Sequence, residues 1–218
     1  QGHSSPVAWA DRVFVTSADE ERGIRCLLCI DSASGDVIWQ HDFEFVSYKY
    51  HKNNSPASST PAVDADHVYV LWQSKTESPL VALDHDGKEV WRYDLGPYLH
   101  GQGSGTSPII YRDMVVVCND HAQGSFLLSV DRHTGRELWK VPRKGKRACY
   151  ATPCVYQPEG GQPQLILASW AQGVSSIDPR TGKANWELPL FKNRIVGSPV
   201  VAGGLIFSQA GIGGTGRQ

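Results

Sequence analysis

"LLSVDRHTGRELWKVP" occupies residues 127–142. It opens on an apolar run, reaches Asp131, turns through Thr134–Gly135 and places Trp139 on the segment that follows. An Asp at a turn start accepts hydrogen bonds from backbone amides two residues on. A Gly supplies the positive φ that returns the chain to an antiparallel neighbour. The stretch therefore reads as two strands joined by a tight turn, with an indole on the second strand. Three relatives lie elsewhere in the chain. "LLCIDSASGDVIWQHDF" carries Asp31, Gly35 and Trp39, and "SSIDPRTGKANWELPL" carries Asp178, Gly182 and Trp186. "LVALDHDGKEVWRYDL" carries Asp84, Gly87 and Trp91, with a turn one residue shorter.

The recurrence sets a period. Successive Trp residues are 52, 48 and 47 residues apart, and successive Asp residues 53, 47 and 47. A second marker, Ser/Thr-Pro, recurs at Ser5-Pro6, Thr60-Pro61, Ser107-Pro108, Thr152-Pro153 and Ser198-Pro199. From each Pro to the next Asp is 25, 23, 23 and 25 residues. Within a unit, "SPIIY", "MVVVCND", "SFLLSVD" and "RELWKV" read as four short strands separated by polar turns. Helical periodicity is absent throughout. Four strands in a repeat of 40 to 50 residues are the signature of a β-propeller blade. The fold expected is all-β, a propeller of four-stranded antiparallel blades. The approximate repeats are 5–58, 59–105, 106–150 and 151–196, with a partial fifth over 197–218. Four complete blades and part of a fifth read as a segment of a seven- or eight-bladed ring. An open segment exposes sheet edges and apolar faces, so self-association is expected. The four Asp-turn-Trp sets, at equivalent turns, are assigned to structure and not to catalysis. The indoles would fill the gaps between blades.

Composition narrows function. The 218 residues carry 21 basic and 22 acidic side chains, a net charge of −1. No basic field is available to recruit nucleic acid or anionic lipid. No apolar run approaches the roughly 20 residues that span a bilayer. The chain begins at Gln1 without a Met, which suggests a processed or truncated start. Cys26 and Cys29 form a CxxC that invites a redox or metal reading. On a strand, residues three apart face opposite ways, and no second pair has metal-ligand spacing, so small buried apolar side chains are the simpler reading.

Functional candidates lie where the repeats differ. Loops from a fourth strand to the next blade's first strand share one face of a propeller. Here they collect Lys49, His51, Lys52, Asn53, His100, Arg147, Tyr150 and Arg194. Cations and aromatics on one rim suit an anionic small molecule, a sugar or an acidic protein segment. The remaining histidines fall on separate turns. "GQGSGTS" (101–107) precedes a strand and is not a nucleophile elbow. "GIGGTGR" (211–217) lacks the P-loop Lys and reads as a flexible turn or frayed end.

The repeated Asp-x-x-Thr-Gly-x-x-x-Trp, preceded by Ser/Thr-Pro-x-Val, resembles the pyrrolo-quinoline quinone (PQQ) repeat. "GHSSPVAWADRVFVTSADE", "HKNNSPASSTPAVDADHVYV" and "SPVVAGGLIFSQAG" are similar to exported PQQ-like repeat proteins of the planctomycete type. The resemblance implies a PQQ-like propeller placed outside the cytoplasm, as a periplasmic or secreted protein. It implies either a non-catalytic binding or scaffold domain or part of a quinoprotein alcohol dehydrogenase. Such dehydrogenases hold PQQ beneath an adjacent Cys-Cys disulfide and above a Trp, with calcium on Glu, Asn and Asp and an Asp base. This chain has no Cys-Cys pair. No cofactor is therefore expected, and PQQ with calcium stands as the alternative.

Overall fold

A computed structural model describes residues 1–99, 102–145 and 147–211. Among them lie 18 strands and no helix. Blade 1 comprises β1 (Val7–Trp9), β2 (Arg12–Asp19), β3 (Ile24–Asp31) and β4 (Val37–Glu44). Blade 2 comprises β5 (Ala62–Val63), β6 (His67–Leu71), β7 (Pro79–Asp84) and β8 (Glu89–Asp94). Blade 3 comprises β9 (Ile109–Tyr111), β10 (Met114–Asn119), β11 (Phe126–Asp131) and β12 (Glu137–Pro142). Blade 4 comprises β13 (Cys154–Tyr156), β14 (Gln164–Ser169), β15 (Gly173–Ile177) and β16 (Ala184–Leu188). A two-stranded remnant, β17 (Val200–Ala202) and β18 (Leu205–Phe207), follows. Each full sheet is an antiparallel meander in sequence order. The first strands of blades 1, 2 and 3 lie side by side, as do those of blade 4 and the remnant, on the side of the propeller axis. The expected four blades and partial fifth are thus present.

The Asp-Gly motif forms its turn as its residue types require. The Asp131 carboxylate accepts from the amides of His133 (3.1 Å) and Thr134 (2.9 Å). Asp31 accepts from Ala33 and Ser34, and Asp178 from Arg180. The Ser34 and Ala33 amides hold the Asp31 carboxyl below the usual range. A register shift beside the turn recurs in all four blades, between Cys29 and Ile30, Ala82 and Leu83, Ser129 and Val130, and Ser176 and Ile177.

Two locks join neighbouring blades. In the first, each indole N–H donates to the carbonyl one residue past the Asp of the next blade's turn. Trp39 reaches His85 (2.8 Å), Trp91 reaches Arg132 (2.9 Å) and Trp139 reaches Pro179 (3.0 Å). The indole face then lies on the turn Gly of that blade. A Cβ built on Gly135 would stand 2.6 Å from Trp91, and one on Gly182 2.6 Å from Trp139. Glycine is required there for space as well as for its φ of +70°. In the second lock, at three of the junctions, the Ser/Thr of a Ser/Thr-Pro accepts the backbone amide of its counterpart one blade earlier. Ser5 donates to Thr60 Oγ1, Thr60 to Ser107 Oγ and Thr152 to Ser198 Oγ, each at 2.9 Å. The following Pro opens the inner strand and needs no ladder partner for its nitrogen.

The core sits between sheets. Phe14, Leu27 and Cys29 of blade 1 pack on Val68, Val70 and Val81 of blade 2. Tyr69 and Leu80 pack on Val115 and Leu128, and Val116 and Leu127 on Leu165 and Leu167. The middle strands of blades 2 and 3 are accordingly buried on both faces, whereas β2 alternates and β16 is exposed along its length. The five cysteines are free thiols, and burial pushes Cys26 and Cys29 above the ordinary thiol range. Among the described residues no three His, Cys, Asp or Glu side chains form a metal-binding group.

Candidate functional site

Four connections reach the face opposite the Asp turns: residues 45–61, 95–108, 143–153 and 189–199. Buried charged and aromatic side chains hold their roots. Arg25, at the start of β3, is 1% exposed and lies over the rings of Phe45 (5.0 Å) and Trp72 (5.2 Å). Desolvation lowers its pKa to about 10, against the opposing pull of Tyr48 and Glu77. Arg143, just past β12, forms a buried ion pair with Asp120 at 2.9 Å. Tyr98 stacks on His121, with ring centroids 5.3 Å apart.

The connections meet near the axis. Tyr48 and Tyr50 contact edge to face, and the Tyr48 hydroxyl donates to the Gln73 carbonyl at 2.8 Å. The Tyr50 hydroxyl bonds Glu20. The His51 amide donates to the Gln102 carbonyl at 3.2 Å, and the Asn54 side chain donates to the carbonyls of Gln102 and Ser104, both at 2.8 Å. Gly103 makes this approach possible. With φ +87°, any Cβ there would lie 2.6 Å from Asn54. Arg194, from the fourth connection, donates to Gln102 Oε1 at 2.6 Å and lies 5.8 Å over the Tyr150 ring. Tyr150 also packs on Gly105.

The structure therefore brings His51, Tyr150 and Arg194 to one rim. Lys49, Lys52 and Asn53 are exposed on the first connection, beside that rim in sequence. His100 lies outside the described residues, as does most of 211–217. Arg147 goes elsewhere. Its guanidinium lies 4.9 Å over the Trp170 ring, at a pocket of about 590 Å³ lined by Lys144, Trp170, Pro189, Phe191 and Lys192. Trp170 is fixed there by its amide donating to Cys149 Sγ (3.2 Å) and its indole donating to the Lys192 carbonyl (3.1 Å). Sequence reasoning missed this aromatic and basic shelf. A signal was present: Trp170 is one of seven Trp and falls outside the repeat that accounts for four of them.

The family model described as outer membrane protein assembly factor BamB matches residues 25–217. The chain belongs to that family of PQQ-like β-propellers. Among curated proteins, none matches the sequence. A europium-containing methanol dehydrogenase superimposes with a TM-score of 0.60 at 14% identity over 85% of this chain and 41% of its own. The quinohemoprotein alcohol dehydrogenase of Comamonas testosteroni gives 0.61 at 16% identity, over 95% of this chain and 39% of its own. BamB from Moraxella catarrhalis gives 0.46 at 15% identity, over 94% and 66%. The chain thus spans about two fifths of the length of the two dehydrogenases, and at these identities the likeness is one of fold.

The fold family raises the question of a calcium-held quinone. The described rim residues do not fit it. Of the carboxylates near the rim, Glu20 is engaged by Tyr50 and Asp120 by Arg143, Glu77 stands beside Arg25, and among the described residues no three acidic or other ligating side chains form a metal-binding group. The free cysteines are not adjacent in sequence. Charge on this face is instead carried outward by the exposed Lys144, Arg147 and Lys192.

Proposed function

We propose that this propeller segment is a non-catalytic binding or scaffold domain whose connection-bearing face takes an acidic protein segment. The observation that carries the reading is the shelf at Trp170. Two lysines line a pocket of about 590 Å³ with an indole and the Phe191 ring, and the Arg147 guanidinium lies 4.9 Å over that indole. Such a surface takes an apolar or aromatic side chain on the rings and carboxylates on the cations. The axial rim, with Arg194 on Tyr150, continues the same chemistry toward the axis. The family model carries the name of an assembly factor, which agrees with a protein-binding role. In this reading the domain works outside the cytoplasm, and the family likeness supports that setting.

A fluorescent peptide of alternating Asp, Glu and Phe, titrated into the protein with Trp fluorescence as the readout, tests the proposal. Binding is expected, weakening at least tenfold in Lys144→Glu/Lys192→Glu and with rising salt. Equal affinity for the double variant would sink the proposal. In a parallel arm, PQQ and calcium are added and the absorbance spectrum recorded. A spectrum equal to the sum of its parts is expected, and a shifted quinone band would favour the dehydrogenase reading.

A further inference from the structure

A cavity lies on the opposite face, among the Asp turns, and departures from the repeat create it. Between blades 1 and 2, Arg12 spans the cleft to the His85 carbonyl and approaches Asp86 at 3.9 Å. Between blades 2 and 3, Arg132 spans it to Asp64 (2.8 Å) and Asp66 (2.7 Å). Between blades 3 and 4 neither clamp is repeated among the described residues. Met114 occupies the position of Arg12, each pairing with the Asp of its own blade's turn. Pro179 stands where His85 and Arg132 stand, and Arg180 turns back to its own Asp178 at 3.5 Å. The cleft opens into a groove of about 760 Å³.

A second departure builds its wall. The first two strands are joined by residues 10–11 in blade 1 and 112–113 in blade 3, but by 157–163 in blade 4. The longer hairpin is braced by Gln157 Nε2 donating to the Gly161 carbonyl at 2.8 Å, and its Gln162 and Pro163 line the groove. In repeat proteins, insertions in one unit gather on a binding face.

The lining has a definite chemistry. Tyr111 and Trp139 give ring surface, and the Trp139 N–H is already used on Pro179. The Tyr111 hydroxyl is buried and has no hydrogen-bond partner among the described residues. Ser176 donates to Gln164 Oε1 and accepts from Asn185 Nδ2, which leaves the Gln164 amide nitrogen and the Asn185 amide oxygen for the groove. Arg112, lying over the Tyr111 ring, and Arg180, beside Asp178, stand with Asp178 among the lining residues, so that Arg112 is the cation left to a ligand. Ring faces suit the C–H faces of a pyranose, paired amide groups suit vicinal hydroxyls, and guanidinium suits a carboxylate. The volume lies within the usual ~300–1,000 Å³ of small-ligand sites. We infer that this groove binds a short acidic saccharide.

Calorimetric titration with trigalacturonate, a hyaluronan tetrasaccharide, 3′-sialyllactose and neutral cellotriose tests this. At least one acidic probe is expected to bind, and more tightly than cellotriose. Tyr111→Phe and Gln164→Leu are each expected to weaken that binding at least tenfold. Met114→Arg, which restores the side chain that spans the first cleft, is expected to abolish it without lowering the melting temperature. An excess of the acidic peptide used for the other face should leave saccharide binding unchanged. The inference is overturned if no acidic probe binds, if these substitutions leave affinity intact, if the acidic peptide displaces the sugar, or if a proline-rich peptide occupies the groove instead.

Discussion

Three of the four turn glycines, Gly87, Gly135 and Gly182, serve two neighbours at once. Gly135 closes the turn of blade 3 with φ +70° and carries the Trp91 ring of blade 2 on its α-carbon. Gly35 has a similar φ of +79°, but a Cβ there would meet nothing within 4 Å. This contrast separates backbone strain from lost packing. An L-residue in the left-handed region costs roughly 1–2 kcal/mol. Gly35→Ala should therefore lower stability by about that amount. Gly135→Ala should cost clearly more, because the indole must also move. Removing that indole, as Trp91→Ala, is expected to cost about 3–5 kcal/mol. Chemical denaturation of the three variants gives the order; equal losses for the two glycine variants would show that the indole contact contributes nothing.

At the scale of elements, the blade interfaces set the response to acid. His67 of β6 faces Asp64, Asp66, Arg132 and His133 across the junction of blades 2 and 3. Burial lowers its pKa despite the nearby carboxylates. Burial would raise Asp64, but the amides of His67 and Asp66, with Tyr69 and Arg132, hold it below the usual carboxylate range. Both shifts have the same sign for stability. The unfolded chain takes up the proton first, so stability falls with pH, beginning below about 6.5 for His67 and below about 3.9 for Asp64. Melting temperature should drop from pH 8 to pH 5 and again toward pH 3, with the first step reduced in His67→Gln. A midpoint that rises on acidification contradicts this account. The elements themselves were legible in the sequence, because strand alternation and the Asp-Gly turn are local signals that recur. The partners of the motif were not. Nothing local says that Trp39 donates to a carbonyl 46 residues away, or that the hydroxyl of Thr60 receives the amide of Ser5. The rim was half legible: the connections containing Tyr150 and Arg194 could be located by period, but Arg147 turned to Trp170, a contact that depends on how β14 ends.

At the scale of the whole molecule, apolar side chains stand open on the last blades. On blade 4 and the remnant, Trp186, Leu188, Leu190, Leu205 and Phe207 are exposed. Apolar area of this kind favours association of the 218-residue chain. Sedimentation velocity is expected to show a concentration-dependent rise in mass, diminished by Trp186→Lys/Leu188→Lys; a monomer at all concentrations would refute it. The indole lock has a further consequence for how such chains change length. Its donor always lies in the earlier blade and its receiving turn in the next, so the interface is written in one direction. The turn acids of blades 2, 3 and 4 are spaced by 47 residues each. Cutting out one such interval, from His85 through Asp131, would leave Trp139 facing the same turn and would give β4 the blade 3 turn in place of its own partner, with indole, carbonyl and glycine again in sequence. Blades of this kind behave as interchangeable words in a sentence whose grammar lies wholly between neighbours, so a lineage can lengthen or shorten its ring by whole units while each surviving junction keeps its meaning.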